Sequence, residues 1–336
     1  MDALHSLNAD LSHGLIAELT VFADDQSRLT ECAFKWLTIG ARKFAGRDIL
    51  TEVGEYRISE EGAARFPRMR PRGGSTRWGA VAAAPQESFE TRYNPYTSGA
   101  LPWLRRVVEE RSESVSVTSG LFTEEGEIGN PDVSLSVVFD EELPEYVKLI
   151  VHLDERELIE PDVASAVQAG ILRSVRWACD HYNVVFGHVS YRHACGETEL
   201  ERFLKGHDGD PVVNTPRWRS RLRGYSWLMV VPASIVDALG GGDVLRASEV
   251  FHSIHELPNG AVLLQATSAF REYRGTAVVN VHQVLRDVLI TGEFRKPTPM
   301  PGVPPTHMVV LPDPAPDAPA VPLEQRGDAQ EQKRRA

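Results

Sequence analysis

The stretch Gly224–Ala247, GYSWLMVVPASIVDALGGGDVLRA, decides the fold. Trp227–Val231 is an unbroken apolar run of strand length. Pro232 then starts a helix over Ala233–Leu239, a glycine run ends it, and a second helix follows. The glycines Gly240, Gly241 and Gly242 follow a helix and precede Asp243. A phosphate-binding loop instead has its glycines after a strand and before a Lys-Ser/Thr pair. They are read as a helix stop joined to an N-cap at Asp243.

Working outward, the next segment is a hairpin. His252–Leu257 runs out, Asn259-Gly260 turns, and Ala261–Thr267 returns. Thr276–Ile290 has the periodicity of a final helix. On the N-terminal side, Pro161–Tyr182 carries an apolar stripe (Val163, Val167, Ile171, Val175, Ala178), and Val184–Tyr191 reads as a strand. Glu197–Leu204 is a short helix. Further back, Ser114–Phe122, Val133–Phe139 and Tyr146–Leu153 form a meander. Val133, Leu135 and Val137 alternate with serines, as in a sheet with one buried face. Leu15–Phe22 is a first strand, and Arg28–Phe44 a helix with caps offered by Asp24, Asp25 and Ser27 and a stop at Gly46. Ile49–Ile58 alternates weakly and is assigned as a strand. Gly62–Ser98 reads as a long irregular loop, and Leu101–Arg111 as a helix.

The expected class is α+β, with a mixed, mainly antiparallel sheet covered by helices and two packed α/β halves. The divisions expected are a flexible N-terminus (1–10), an N-terminal half (11–160), a C-terminal half (161–295) and a proline-rich disordered tail (296–336). The tail's PTPMPGVPPTH and PDPAPDAPAVP runs offer too little apolar surface to offset the entropy of ordering them.

Composition narrows function. The 336 residues are 42% hydrophobic and 25% charged, so a sizeable core can form. A net charge of -11 suits a basic partner better than nucleic acid or an anionic membrane. Three cysteines imply no disulfide framework, and the N-terminus has neither the basic nor the apolar region of a signal peptide. A cytoplasmic protein is expected.

Four groups of residues carry candidate chemistry. Cys179, His181, His188, His193 and Cys195 hold metal-ligand chemistry but lack zinc-site spacing, so no metal or cofactor is expected. Cys195, with His193 or His181 as base, raises a nucleophile reading, against which stands the ordinary role of cysteine as a small core residue. Arg217, Arg219, Arg221 and Arg223 alternate with Trp218, Ser220 and Leu222. An extended backbone would set their guanidiniums about 6.8 Å apart on one face, a ladder for anions. Arg65, Arg68, Arg70, Arg72 and Arg77 form a second basic segment. The acids Asp140, Glu141, Glu142, Glu145, Asp154, Glu155, Glu157 and Glu160, against Lys148 and Arg156, form the opposite patch. All but Glu160 are taken as the candidate partner-binding residues.

Trp227-Leu228, Leu239-Gly240-Gly241 and Val244-Leu245-Arg246-Ala247, followed by a hairpin at Glu256–Leu264, resemble a bacterial family of unknown-function domains classed as type VI secretion immunity proteins. The resemblance lies mainly in residues 224–290. Met229 in place of a small polar residue, the extra glycine at 240–242 and the proline-rich tail depart from that pattern. The resemblance implies an α+β fold and a non-enzymatic, immunity-type protein that occludes a protein partner such as a basic toxin. It supplies no catalytic residues. The alternatives are an enzyme or nucleic-acid-handling protein using 179–195 or the arginine run, and a structural component of an assembly with the tail as a tether.

Overall fold

Leu15–Val21 is buried along its whole length, including the polar Glu18 and Thr20. A strand with both faces covered belongs inside a sheet, and this one does. The computed structural model describes residues 13–53, 56–57, 70–71, 76–86, 90–124, 128–193, 196–295 and 308–311. Its strands are β1 (Gly14–Phe22), β2 (Tyr56–Arg57), β3 (Arg70–Pro71), β4 (Arg77–Ala84), β5 (Arg92–Pro95), β6 (Ser114–Phe122), β7 (Ile128–Val138), β8 (Tyr146–Asp154), β9 (Val184–Tyr191), β10 (Leu228–Val231), β11 (Ser253–Glu256) and β12 (Val262–Gln265). Ten of them form one sheet in the order β11-β12-β10-β9-β1-β8-β7-β6-β4-β5, and β2 pairs with β3 separately. The registered pairs are antiparallel. The protein is α+β. The chain divides into two compact units, one of 1–17, 153–168 and 185–336, the other of 18–152 and 169–184.

In the second of these units the alternation read from sequence sets the register. Val115 faces Val137 and Val117 faces Leu135, and all four are buried. Each such side chain contributes about 1.5–3 kcal/mol on leaving water. The Arg28–Phe44 helix runs as Gln26–Lys35, a π-helical turn at Trp36–Gly40, and Ala41–Ala45, ended by Gly46 in the left-handed region. Asp25 caps it by accepting from the Ser27 N–H. Within the π turn the buried Trp36 stacks on Trp177, and the Leu37 carbonyl accepts from the buried Tyr96 hydroxyl at 2.8 Å. A Cβ at Gly40 would meet the Trp36 ring at 2.8 Å.

Two expectations for this unit are corrected. Ile49–Ile58 is not one strand: Ile49–Glu52 is a helical turn, Val53 bridges Arg77, and Tyr56–Arg57 is a two-residue strand. The 62–98 stretch is not a loop throughout. Its β4, RWGAVAAA, pairs with β6 from Arg77↔Leu121 to Ala84↔Ser114 and with β5 on its other side. Alanine and glycine carry little strand propensity, which concealed it. They are there for packing, since a Cβ on Gly79 would lie 2.8 Å from Val53 and 3.2 Å from Tyr96.

The helix Pro161–His181 has the length expected. Its buried face passes through Ala164, Gln168, Ile171, Val175 and Ala178, whereas Val163 is exposed. Gly170 lies against the Phe44 carbonyl, where a Cβ would come within 2.5 Å, so close packing explains this mid-helix glycine.

In the other unit, β10 pairs with β9 and with β12, and β12 returns along β11. Trp227 is fully buried, donates its indole N–H to the Thr267 carbonyl at 2.9 Å and meets Phe270 edge-on. The helix Ala233–Ala238 ends at Gly240 and Gly241, both at positive φ. The next helix, Gly242–Ala247, is capped by Gly241, so Asp243 lies in its first turn and is not the N-cap. Gly260 turns the hairpin at φ +81, with Asn259 accepting from the Ala261 N–H. The final helix is shorter than its periodicity implied: Thr276–Leu285 gives way to a 3-10 turn at Arg286–Val288. The chain then bridges back through Leu289 to Leu222 and through Phe294 to Leu204.

The sheet edges are short and blunted. β5 ends in Pro95, and β11 carries Glu256 in an ion pair with Arg246, which also holds Asp243. Such edges resist pairing with another chain.

Candidate functional site

The candidate surface begins at the β7–β8 corner, FDEELPE over Phe139–Glu145. The Asp140 side chain accepts from the Glu142 N–H at 2.9 Å, and the Leu143 and Tyr146 N–H groups close turns on Asp140 and Leu143. Leu143 is buried beneath the turn, so the acids splay outward: Glu141, Glu142 and Glu145 are exposed and Asp140 half-buried. The Arg111 guanidinium at this corner donates to the Pro144 carbonyl at 3.0 Å and lies over the Phe139 ring. Among the described residues, none of the four acids forms an ion pair.

The other three acids of the predicted patch begin at Asp154, the last residue of β8. Their carboxylates have structural roles. Asp154 caps the helix Glu155–Ile159 by accepting from the Arg156 N–H, and Glu157 accepts from the Asp154 N–H, a reciprocal capping box. Glu155 accepts from the buried Tyr191 hydroxyl at 2.6 Å, and burial, joined by this carboxylate, pushes that phenol up. The D-x-x-E spacing at Asp154–Glu157 was a legible sign of the cap.

The arginine ladder does not form. Thr215–Arg219 is a 3-10 turn, and the Arg221 N–H returns to the Arg217 carbonyl, so the backbone is wound where the ladder needs it extended. Arg217, Arg219 and Arg221 are exposed; Arg219 lies over the Trp218 ring and Arg221 donates to the Asp287 carbonyl. Arg223 is 2% exposed and forks onto Glu201, with both contacts at 2.9 Å, and it also donates to the Gly196 carbonyl. In the other basic segment, Arg65, Arg68 and Arg72 lie outside the described residues. Arg77 is buried and bound to Asp132, Glu52 and Ser119, while Arg47 holds the same two acids. Burial raises the Asp132 carboxyl, but the Arg77 and Arg47 guanidiniums outweigh it and hold the group below its usual range.

The histidines and cysteines disperse. Burial pushes the Cys179 thiol up to about 12 and raises Cys32 further, so both are poor nucleophiles. Cys195 lies outside the described residues. His181 donates from Nδ1 to the Trp177 carbonyl, and His188 pairs with Ser190 inside β9. Among the described residues, no three or more metal-ligating side chains cluster.

His193 enters a network that the sequence reading missed. Arg202 can only donate to its Nδ1, which makes that atom the acceptor; Nε2 therefore carries the proton toward Glu199, at 2.6 Å. The side chains of His193 and Glu199 are 5% and 2% exposed. A histidine–carboxylate pair so enclosed is shut off from substrate and instead pins the segment before the helix Glu199–Arg202. That helix opens on a second capping box, Thr198 with Glu201, whose T-x-x-E spacing was the available signal.

No protein-family model and no curated protein matches the chain. Among solved structures it is similar to a Pseudomonas aeruginosa T6SS protein, PA0821. The identity is 10%, covering 83% of this chain and 74% of that one, with a TM-score of 0.45. At that distance the likeness carries no inference about activity.

Proposed function

We propose that the protein is a non-enzymatic, cytoplasmic binding protein of immunity type, which occludes a basic protein partner through its acidic β7–β8 corner. The supporting observation is the corner itself: four acids within Asp140–Glu145, pointed outward by a buried leucine and without ion pairs among the described residues. Complementary charge of this kind speeds encounter and excludes wrong partners. The short, guarded sheet edges favour recognition by side chains over strand addition. The sequence resemblance at 224–290 is in keeping with the same reading.

The roles of Asp154, Glu155 and Glu157 in the fold direct the test away from them, because reversing their charge would break a helix cap. The variant of choice is Glu141→Lys/Glu142→Lys/Glu145→Lys, which spares the Asp140 turn. Tagged wild-type protein captures a basic partner from host lysate, and the partner is identified by mass spectrometry. Association of the purified pair slows by about 10–100-fold in the variant at low salt and loses most of its salt dependence. Unchanged association in the variant would sink the corner as the contact. A wild-type bait that captures nothing would sink the binding-protein class.

A further inference from the structure

The proline-rich tail was expected to be disordered throughout, yet Met308–Leu311 is seated on the fold. Met308 is 1% and Val309 5% exposed. The Val310 N–H donates to the Tyr225 hydroxyl at 2.6 Å. Tyr225 is itself buried, and its ring packs against His282 at 5.5 Å. Met308–Leu311, MVVL, is the longest apolar run in a region otherwise dominated by Pro, Asp, Ala and polar residues.

We propose that Met308–Leu311 is an intramolecular anchor: an aliphatic tetrapeptide that docks at Tyr225 and gives residues 312–336 a fixed point of departure. Two apolar side chains and one backbone hydrogen bond favour docking, while the ordering of four residues opposes it. The balance is close, so one polar substitution in the anchor is enough to release it. Only residues 296–307 separate the anchor from Arg295. A connection that short presents the segment at an effective concentration on the order of millimolar, which favours the chain's own tail over that of a second copy. The anchor turns the tail into a tether with a defined origin.

Peroxide footprinting of the full-length chain tests this, with a synthetic peptide spanning 304–312 as the reference. Met308 is expected to oxidise at least ~10-fold more slowly in the protein than in the peptide, independently of protein concentration. Val309→Asp should bring Met308 to the peptide's rate while Met229, buried in β10, stays protected. Should that variant also expose Met229, Tyr225→Phe decides the matter: removing only the hydroxyl must speed Met308 oxidation with Met229 still protected. Wild-type Met308 oxidising at the peptide's rate overturns the anchor, as does an unchanged rate in the deciding variant. Protection that grows with protein concentration assigns the segment to a second copy and overturns it equally.

Discussion

Replacing Arg223 with methionine should cost about 3–5 kcal/mol of stability, the usual penalty for leaving one member of a buried ion pair behind. Glu201 is fully buried, and its two oxygens receive the Arg223 fork at 2.9 Å each and the Thr198 N–H at 2.8 Å. Methionine keeps much of the arginine's bulk and none of its donors. The carboxylate is then left in the interior with the Thr198 N–H, and the Gly196 carbonyl loses its partner. Glu201→Leu removes the carboxylate that neutralises the buried Arg223 guanidinium and should cost a similar amount. The double variant removes both charges and leaves only neutral groups short of partners, at about 1–3 kcal/mol each for whatever stays unsatisfied. It should therefore be more stable than either single variant, with a coupling of several kcal/mol. Urea unfolding followed by tryptophan fluorescence and circular dichroism measures all four proteins, and coincidence of the two signals checks that the transitions are two-state. Single variants costing under about 1 kcal/mol would refute the buried pair, as would costs that simply add in the double.

Asp132→Asn should destabilise the protein by about 1–2 kcal/mol near neutral pH, discounted because the carboxylate is partly exposed and screened. The Asp132 carboxyl is held below its unfolded value, so its contribution is present above about pH 4 and lost as pH falls through the folded value. The wild-type and variant urea midpoints should therefore converge in strong acid; a gap that persists there assigns the loss to packing. Gly79→Ala should cost about 1–3 kcal/mol by forcing Val53 or Tyr96 aside, read as a lower melting temperature. An unchanged melting temperature would mean that β4 does not pack as closely as described.

The structure also changes which charges are available for binding. The chain's acidity drew attention to seven candidate carboxylates, of which Asp140, Glu141, Glu142 and Glu145 remain on an open surface. Asp154 and Glu157 serve a helix start, and Glu155 serves Tyr191. Of the four arginines in the candidate ladder, Arg223 is part of the interior. Charge counts along a sequence do not distinguish a solvated group from one whose partner lies far away in the chain. Arg223 and Glu201 are 22 residues apart, and Arg77 and Asp132 are 55 apart.

Local sequence by itself determined the elements whose cause is local. The valine–serine alternation placed β6 and β7, because a half-buried strand repeats every two residues. The Asn259-Gly260 turn and the Gly46 and Gly240–Gly241 stops followed from backbone conformations that glycine adopts freely. The extent of Pro161–His181 followed from its apolar period. The tertiary structure alone decided what depends on distant partners. β4 is a strand because β5 and β6 flank it, despite its alanines. Trp36–Gly40 widens to a π turn where Trp36 stacks on Trp177 and Tyr96 reaches the Leu37 carbonyl. Thr215–Arg219 winds instead of extending, and Arg223 turns inward to Glu201. Met308 and Val309 leave water beside Val310, whose N–H reaches the Tyr225 hydroxyl far back in the chain. In each case the deciding free energy comes from contacts between segments far apart in the chain, which no local period records.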